Sequence, residues 1–417
     1  MSHAAPVTPR PFKVAYLVSR FPKLTETFVL FEMAALERHG FEVALFPLLR
    51  ENTRLMHDQA RPWMSRAHFL PFFSWPILWA QWYYLRRRPF AYLRLWWEVL
   101  SGAWGSPNFF LGALGILPKA VRFAYEMSLL NVQHVHAHFA NHPAVAALAI
   151  HRLTDIPYSF TAHGSDLHKD RHMLCRKVKQ AAFVVTVSRF NQEVIVRECG
   201  EAARSKVRVI HSGVETDVFR PSNEAARDRP YTILCVGTLH EVKGQSYLIE
   251  ACRKLHQRGI DFVCHFVGDG PDRRRLERQC AQAGLEDRIV LHGQKTRDEL
   301  IQILAGADVL AAASVPTRGG KREGLSVVLI EALACAVPVV ASALSGIPEL
   351  VEPERTGLLV PVRDSESLAD ALQRLHDEPD LRRRLGSAGR ERVMSEFDLD
   401  QNVMALGKLM LSSGGAA

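Results

Sequence analysis

The sequence predicts an α/β protein of two doubly wound, parallel-sheet lobes facing a central cleft. Three observations carry this. At 417 residues the chain exceeds one compact domain of usual size, so two domains of roughly 150 to 200 residues are expected. Short β-branched runs alternate with amphipathic stretches, the pattern of parallel α/β layers. The alternation falls into two series, separated by the polar, proline-punctuated "DVFRPSNEAARDRP" of residues 217–230, which is linker composition.

In the first series "KVAYLVS" (13–19) reads as a strand, "TETFVLFEMAALERHG" (25–40) as a helix closing on Gly40, and "FEVALFPL" (41–48) as the next strand. After an aromatic segment the strands resume at "VQHVHAHF", "PYSFTAHG", "AAFVVTVS" and "KVRVIHSG". The second series runs "YTILCVGTL" (231–239), "DFVCHFVGDG", "RIVLHG", "ADVLAAAS", "VPVVASA" and "TGLLVPV". The tail "FDLDQNVMALGKLMLSSG" reads as one more helix returning to the first lobe, with Asp398 and Asp400 as a cap rather than a metal site. The expected division is a flexible tail 1–10, a first domain 11–222 carrying an insertion at 61–130, a second domain 223–396, and the closing helix 397–417.

A net charge of +8 favours anionic partners: nucleic acid, an acidic membrane surface or phosphorylated substrates. The seven cysteines are scattered without a Cys-x-x-Cys pair. That argues against a disulfide framework or zinc site and fits a reducing compartment. The opening "MSHAAPVTPR" lacks an apolar region behind a basic one, and no uncharged apolar run reaches about 18 residues. A cytoplasmic chain without a membrane span is expected.

Residues 61–104 differ in character. All seven tryptophans lie there, interleaved with Arg86, Arg87, Arg88 and Arg94. Aromatic rings and basic heads on amphipathic helices suit the headgroup layer of an anionic bilayer. The competing reading is that the aromatics pack on the first lobe. Base stacking would use the same residue types, but neither lobe suggests a nucleic-acid module, so no nucleic-acid partner is expected.

Doubly wound lobes bind ligands at the carboxyl ends of their strands. In "ADVLAAASVPTRGGKREGLSVVLIEALACAVPVVAS" a strand leads through a glycine-rich basic loop to Glu323 and Gly324, then to a helix with Ser326 at its N-cap position. Such a helix start presents free amides and a positive dipole end to a phosphate. Glu323 and Glu331 are eight residues apart, about 12 Å or less at helical rise. One acid would hold a sugar and the other a ribose, with the diphosphate between. Taken alone, the pair reads first as a loop acid and an early-helix acid, because that spacing is common by chance.

The motif set decides between these. "VGTLHEVKGQSYLIEA" (236–251), "FVGDGP" (266–271), "LHG" (291–293), "REGLSVVLIEALACAVPVVAS" (322–342), "SGIPELV" (345–351) and "GLLVPVRD" (357–364) resemble, in order and spacing, the retaining nucleotide-sugar glycosyltransferases of family four, which have the GT-B fold. "SRFPKLTETFVLFEMAAL", "HVHAHF" and "TAHGSDLH" resemble the branch that makes exopolysaccharides such as colanic acid.

The resemblance implies roles. Glu323 holds donor-sugar hydroxyls, helped by the amides of Gly324, Leu325 and Ser326, and Glu331 holds the ribose. Lys243 neutralises the departing diphosphate. Thr238 stands where the family usually has an arginine, so Arg322, Lys321 or Arg318 would supply that charge. Gly268 and Gly293 form backbone turns near the nucleobase, and Gly237 is a further donor-binding position. His163 sits at the sugar end of the donor, and Glu26, His138 and Asp166 are acceptor-side candidates. The implied reaction moves a hexose from a UDP- or GDP-sugar to a polyprenyl-diphosphate-linked glycan, by front-face displacement, with no cofactor and no essential metal. It would take place at the cytoplasmic face of the inner membrane, with residues 61–104 on the anionic surface. Two rivals share the cleft: another GT-B activity, such as a nucleotide-sugar epimerase or phosphorylase, and a non-catalytic membrane-associated scaffold that binds nucleotide sugars.

Overall fold

The computed structural model of the chain describes residues 11–23, 26–52, 56–168, 170–222 and 229–414. The expected tail 1–10, Thr25 at the expected helix start, and residues 223–228 of the expected linker lie outside them. Twelve strands form two six-stranded sheets among the described residues. The first contains β1 (Lys13–Phe21), β2 (Glu42–Arg50), β3 (His134–His138), β4 (Tyr158–Ala162), β5 (Phe183–Thr186) and β6 (Val207–Val209), in the order β2-β1-β3-β4-β5-β6. The second contains β7 (Tyr231–Val236), β8 (Phe262–Val267), β9 (Ile289–Gly293), β10 (Val309–Ala312), β11 (Val339–Ser342) and β12 (Gly357–Val360), in the order β12-β11-β10-β7-β8-β9. Every strand pair is parallel.

Burial on both faces explains the continuous apolar runs. Along β1, Val14, Tyr16 and Val18 face one side, packed with the helix Thr27–Arg38, while Ala15 and Leu17 face the other. On that second side the helix His142–Thr154, "HPAVAALAIHRLT", is almost wholly buried. Its alanines let helix and sheet approach closely. In both sheets the strand order reverses beside the first strand, β1 or β7, and a ligand crevice opens where it does.

The helix Leu399–Gly414 closes on the first lobe as expected. Leu399, Val403, Leu406 and Met410 join the cluster of Val14, Leu30 and Leu36. The Asp398 carboxylate accepts from the amide of Gln401 at 3.0 Å, capping this helix. Asp400 instead pairs with Arg38 at 3.3 Å and His39 at 2.9 Å.

The insertion folds into the helices Arg61–Arg66, Trp75–Arg87, Pro89–Ala103 and Pro107–Leu129. Its aromatics divide between the core and the surface. Trp63, Ile77, Tyr84, Leu95 and Val99 are buried, with Trp79 and Trp96 packed partly against the core. The outer faces leave Phe73 98%, Phe90 87%, Trp75 77% and Trp97 75% exposed. Among the described residues, no helix is long and apolar enough to cross a membrane.

One expectation is overturned. Cys175 and Cys199 form a disulfide across 24 residues, whereas Cys235, Cys252, Cys264, Cys280 and Cys335 are free and buried. Spacing along the chain hid the pair, because the helices Leu174–Gln180 and Arg189–Cys199 bring the two together only after packing.

Candidate functional site

The loops at the carboxyl ends of β7, β8 and β9 meet at three glycines. The Gly237 amide donates to the Val267 carbonyl at 2.9 Å, and the Gly268 amide to the Gly293 carbonyl at 2.8 Å. A Cβ on Gly268 would stand 2.1 Å from the Gly237 carbonyl oxygen, and Gly268 has φ +134°. Only glycine allows this approach. The three predicted positions therefore form one tight floor. Thr238 beside them is exposed, and its carbonyl accepts from Gln245 at 3.0 Å.

Lys243 ends a short turn after β7. Next to it Gly244 adopts φ +64°, and a Cβ there would lie 1.8 Å from the Ala313 carbonyl oxygen. The turn points the Lys243 ammonium at the Glu323 carboxylate, with which it forms an ion pair. Ser314 Oγ donates to the other Glu323 oxygen at 2.6 Å, and Lys243 Nζ lies 3.5 Å from Ser326 Oγ. Burial pushes the Glu323 carboxyl up. The Lys243 charge and the hydrogen bonds from Lys243, Ser314 and Ser326 outweigh it, so its net direction is down and it stays ionised.

Ser326 occupies the N-cap position of the helix Val327–Ala334, but its side chain makes no cap hydrogen bond. This corrects the expected cap: the hydroxyl faces Lys243 instead, leaving amides at the helix start unclaimed by a side chain. One turn on, Glu331 is half-buried, and its carboxylate has no hydrogen-bonding partner among the described residues. Burial drives its pKa up to about 7, with Arg297 pulling the other way. A carboxyl left so costly invites hydroxyl donors.

His163 and Gly164 follow β4 and meet this loop from the first lobe. A Cβ on Gly164 would lie 3.1 Å from the Gly324 Cα. Arg322 and Lys321 are exposed beside them, as is Arg318, and none of the three forms an ion pair within 4.0 Å among the described residues. The Arg322 charge reaches the first lobe, where, after burial, it helps to hold the His168 imidazole below its ordinary range. Arg322 and Leu325 thus flank the junction, Leu325 from inside the core.

The acceptor-side candidates separate. Asp166 is buried, with its oxygens taken by the amides of Ala140 at 2.6 Å, Gly164 at 2.8 Å and His163 at 3.1 Å; it shapes the loop that presents His163. Glu26 pairs with Lys23 beside a hollow lined by Arg20, Pro22 and Met56. His138 is sealed from solvent, which corrects the expectation that it faces an acceptor. Its ring instead joins His163 Nε2 at 3.0 Å and Glu32 at 3.1 Å. Glu32 was missed by sequence reasoning. The one signal was an acid inside the apolar run "TFVLFEMAAL".

Polar contacts also join the lobes. The Glu349 carboxylate accepts from the amides of Arg189 and Phe190, both at 2.7 Å, at the start of the helix Arg189–Cys199. Arg297 pairs with Glu215 at 2.5 Å and lies over the rings of Phe31 and Phe219.

Comparisons with known proteins place the fold. Residues 219–392 match the family model for glycosyl transferases group 1, and residues 101–218 match that for glycosyltransferase family 4. WcaL of Escherichia coli (strain K12), assigned to colanic acid biosynthesis as a glycosyltransferase, is 41% identical over 169 residues, 40% of this chain and 42% of that protein. The amylovoran biosynthesis glycosyltransferase AmsK of Erwinia amylovora is 36% identical over 220 residues, 51% of this chain and 53% of that one. The match therefore spans about half the length of these curated relatives. Among solved structures, a glycosyltransferase from Rickettsia africae ESF-5 superposes with TM-score 0.73 at 19% identity, over 98% of this chain and 100% of that one. Anabaena Alr3699/HepE in complex with UDP gives 0.71 at 16% identity, over 96% and 100%. These likenesses establish the expected GT-B fold.

Proposed function

As a chain that carries a glycosyltransferase family 4 domain followed by a group 1 glycosyl transferase domain, this protein is, we propose, a retaining hexosyltransferase of exopolysaccharide biosynthesis. It takes a nucleoside-diphosphate sugar as donor and a hydroxyl of a lipid-linked saccharide as acceptor. The observation that carries the reading is the Lys243–Glu323 ion pair at the mouth of a helix start, one turn from the unpartnered Glu331.

The chemistry follows from the charges. A diphosphate leaving group gains negative charge as the glycosidic bond breaks, and a cation already fixed in place stabilises that charge without reorganising. Lys243 is such a cation, held by Glu323. The ionised Glu323 accepts from donor-sugar hydroxyls, the open amides near Ser326 receive phosphate oxygens, and Glu331 accepts from the ribose. His163 closes the sugar end from the other lobe. The donor is a UDP- or GDP-sugar: one structural neighbour was solved with UDP, and one relative is a GDP-mannose-dependent mannosyltransferase of Mycobacterium tuberculosis.

The exposed aromatic face of residues 61–104, with its arginines, supports peripheral attachment to an anionic cytoplasmic membrane surface, where a polyprenyl-diphosphate-linked acceptor would be found. The test is a thermal-shift screen of uridine, guanosine and adenosine diphosphates and their sugars, followed by glycosyl-transfer assays of wild type and Glu323→Ala. A selective shift with transfer lost in the variant supports the reading. Equal transfer rates in the two proteins sink the assignment of Glu323.

A further inference from the structure

Behind His163 lies a hydrogen-bonded chain that the donor chemistry above does not use. His163 Nε2 stands 3.0 Å from His138 Nδ1, His138 Nε2 stands 3.1 Å from Glu32 Oε1, and Tyr16 Oη donates to the same oxygen at 2.6 Å. Tyr16 and His138 are fully buried, and the Tyr16 ring stacks on His138 at 5.5 Å. Glu32 and His163 border one hollow with Phe28, Ser212 and Asn402. The remaining His163 nitrogen, Nδ1, has no partner among the described residues and is not sealed from solvent.

With His138 neutral, proton bookkeeping along this chain has one consistent solution. Burial, then the Glu32 charge, holds the Tyr16 phenol well above its ordinary pKa, so it donates and Glu32 accepts. A carboxylate only accepts, so His138 carries its proton on Nε2 and offers a bare Nδ1. His163 must then place its own proton on Nε2. Burial above all keeps His163 well below the usual imidazole range, so it stays neutral and, beside a neutral His138, its Nδ1 is a bare acceptor. We infer that Glu32 and His138 are positioning residues that lock His163 as the Nε2–H tautomer, presenting Nδ1 as a hydrogen-bond acceptor for a substrate hydroxyl in the cleft. The role given to that hydroxyl rests on the transferase reading; the tautomer does not.

A rival occupant makes the opposite prediction. Glu32, His136 and His138 bring ligand atoms within 4.8 Å of one another. A metal ion there would take His138 through Nε2, force its proton to Nδ1, and so reverse the His163 tautomer. The hydrogen-bonded chain is favoured because both His136 nitrogens already have hydroxyl partners, Ser159 at 2.8 Å and Thr161 at 2.9 Å.

The experiment is nitrogen-15 NMR of the histidine rings in the full chain at pH 8, without nucleotide, for wild type, Glu32→Gln and His138→Asn. Wild type should show His163 protonated on Nε2 alone. His138→Asn and Glu32→Gln each place in the chain an amide that can donate as well as accept, so both should mix the two tautomers. In transfer assays Glu32→Gln should lower kcat by about tenfold or more with donor KM little changed, as when a base is held in the wrong tautomer. A wild-type His163 protonated on Nδ1, or a Glu32→Gln spectrum identical to wild type, overturns the inference even if transfer is observed. A wild type that transfers no sugar removes the transferase reading and leaves the tautomer result standing.

Discussion

Gly324 of the second lobe lies against the first so closely that a Cβ on it would stand 2.4 Å from the His163 carbonyl oxygen. The obstacle is backbone, which cannot rotate away. Gly324→Ala is expected to force the lobes apart at the donor site and weaken nucleotide binding by about tenfold, or ~1.4 kcal/mol. The melting temperature should move little, because the contact lies between cores. Titration calorimetry with the preferred nucleotide checks it; undiminished affinity would show that the lobes need not touch here.

Lys243→Met leaves the Glu323 carboxylate without its cation. Glu323 has a depressed pKa in the folded state, so its contribution to stability is present above the unfolded value of about 4.3 and lost as pH falls through the folded value. Removing Lys243 should cost roughly 1 to 3 kcal/mol at pH 7, with part of the loss recovered on acidification as Glu323 protonates. Urea titrations at pH 5 and pH 7 read this out. Transfer should fall by about 100-fold or more.

Glu331 works in the opposite sense. Its folded pKa, about 7, lies above the unfolded value, so between the two the folded state binds more protons and stability falls as pH rises through that window. Glu331→Gln should therefore be more stable than wild type at pH 8, by no more than about 4 kcal/mol, and equal to it below pH 4. The same variant should lose nucleotide affinity. Melting curves across pH with no divergence between the two proteins would contradict the burial argument.

Glu349 reaches from one lobe to satisfy two amides at a helix start in the other. Glu349→Ala should cost about 1 kcal/mol, the usual size of a lost cap, and enlarge the solution radius of the nucleotide-free protein. Small-angle scattering with denaturant unfolding measures both. A variant unchanged in both would mean that the contact holds nothing.

The outer aromatic face is tested by Trp75→Ser with Trp97→Ser. Both rings are largely exposed, so melting temperature should hold while sedimentation with anionic vesicles declines. Binding by wild type should weaken with salt, and its failure to bind anionic vesicles at low salt would remove the membrane proposal.

What the sequence determined is what neighbouring residues decide among themselves. Runs such as "KVAYLVS" and "YTILCV" announce strands because β-branched side chains favour extended backbone and leave few other places for apolar surface. The Asp398 cap was legible for the same reason, since cap chemistry is local, whereas the glycines at 237, 268 and 293 came from the motif resemblance. Glu323 and Glu331 came forward through motif spacing on a single loop and helix.

Only the tertiary structure decided the partners. Lys243 and Glu323 are 80 residues apart, and Glu32 and His138 are 106 apart. The Cys175–Cys199 bond, the Ser326 hydroxyl turned from its cap toward Lys243, and the burial of His138 depend likewise on how packed layers settle. A one-residue slip in a strand register sends every side chain to the opposite face. Such pairings are therefore set by the packing of the whole sheet, and no local stretch of sequence contains them.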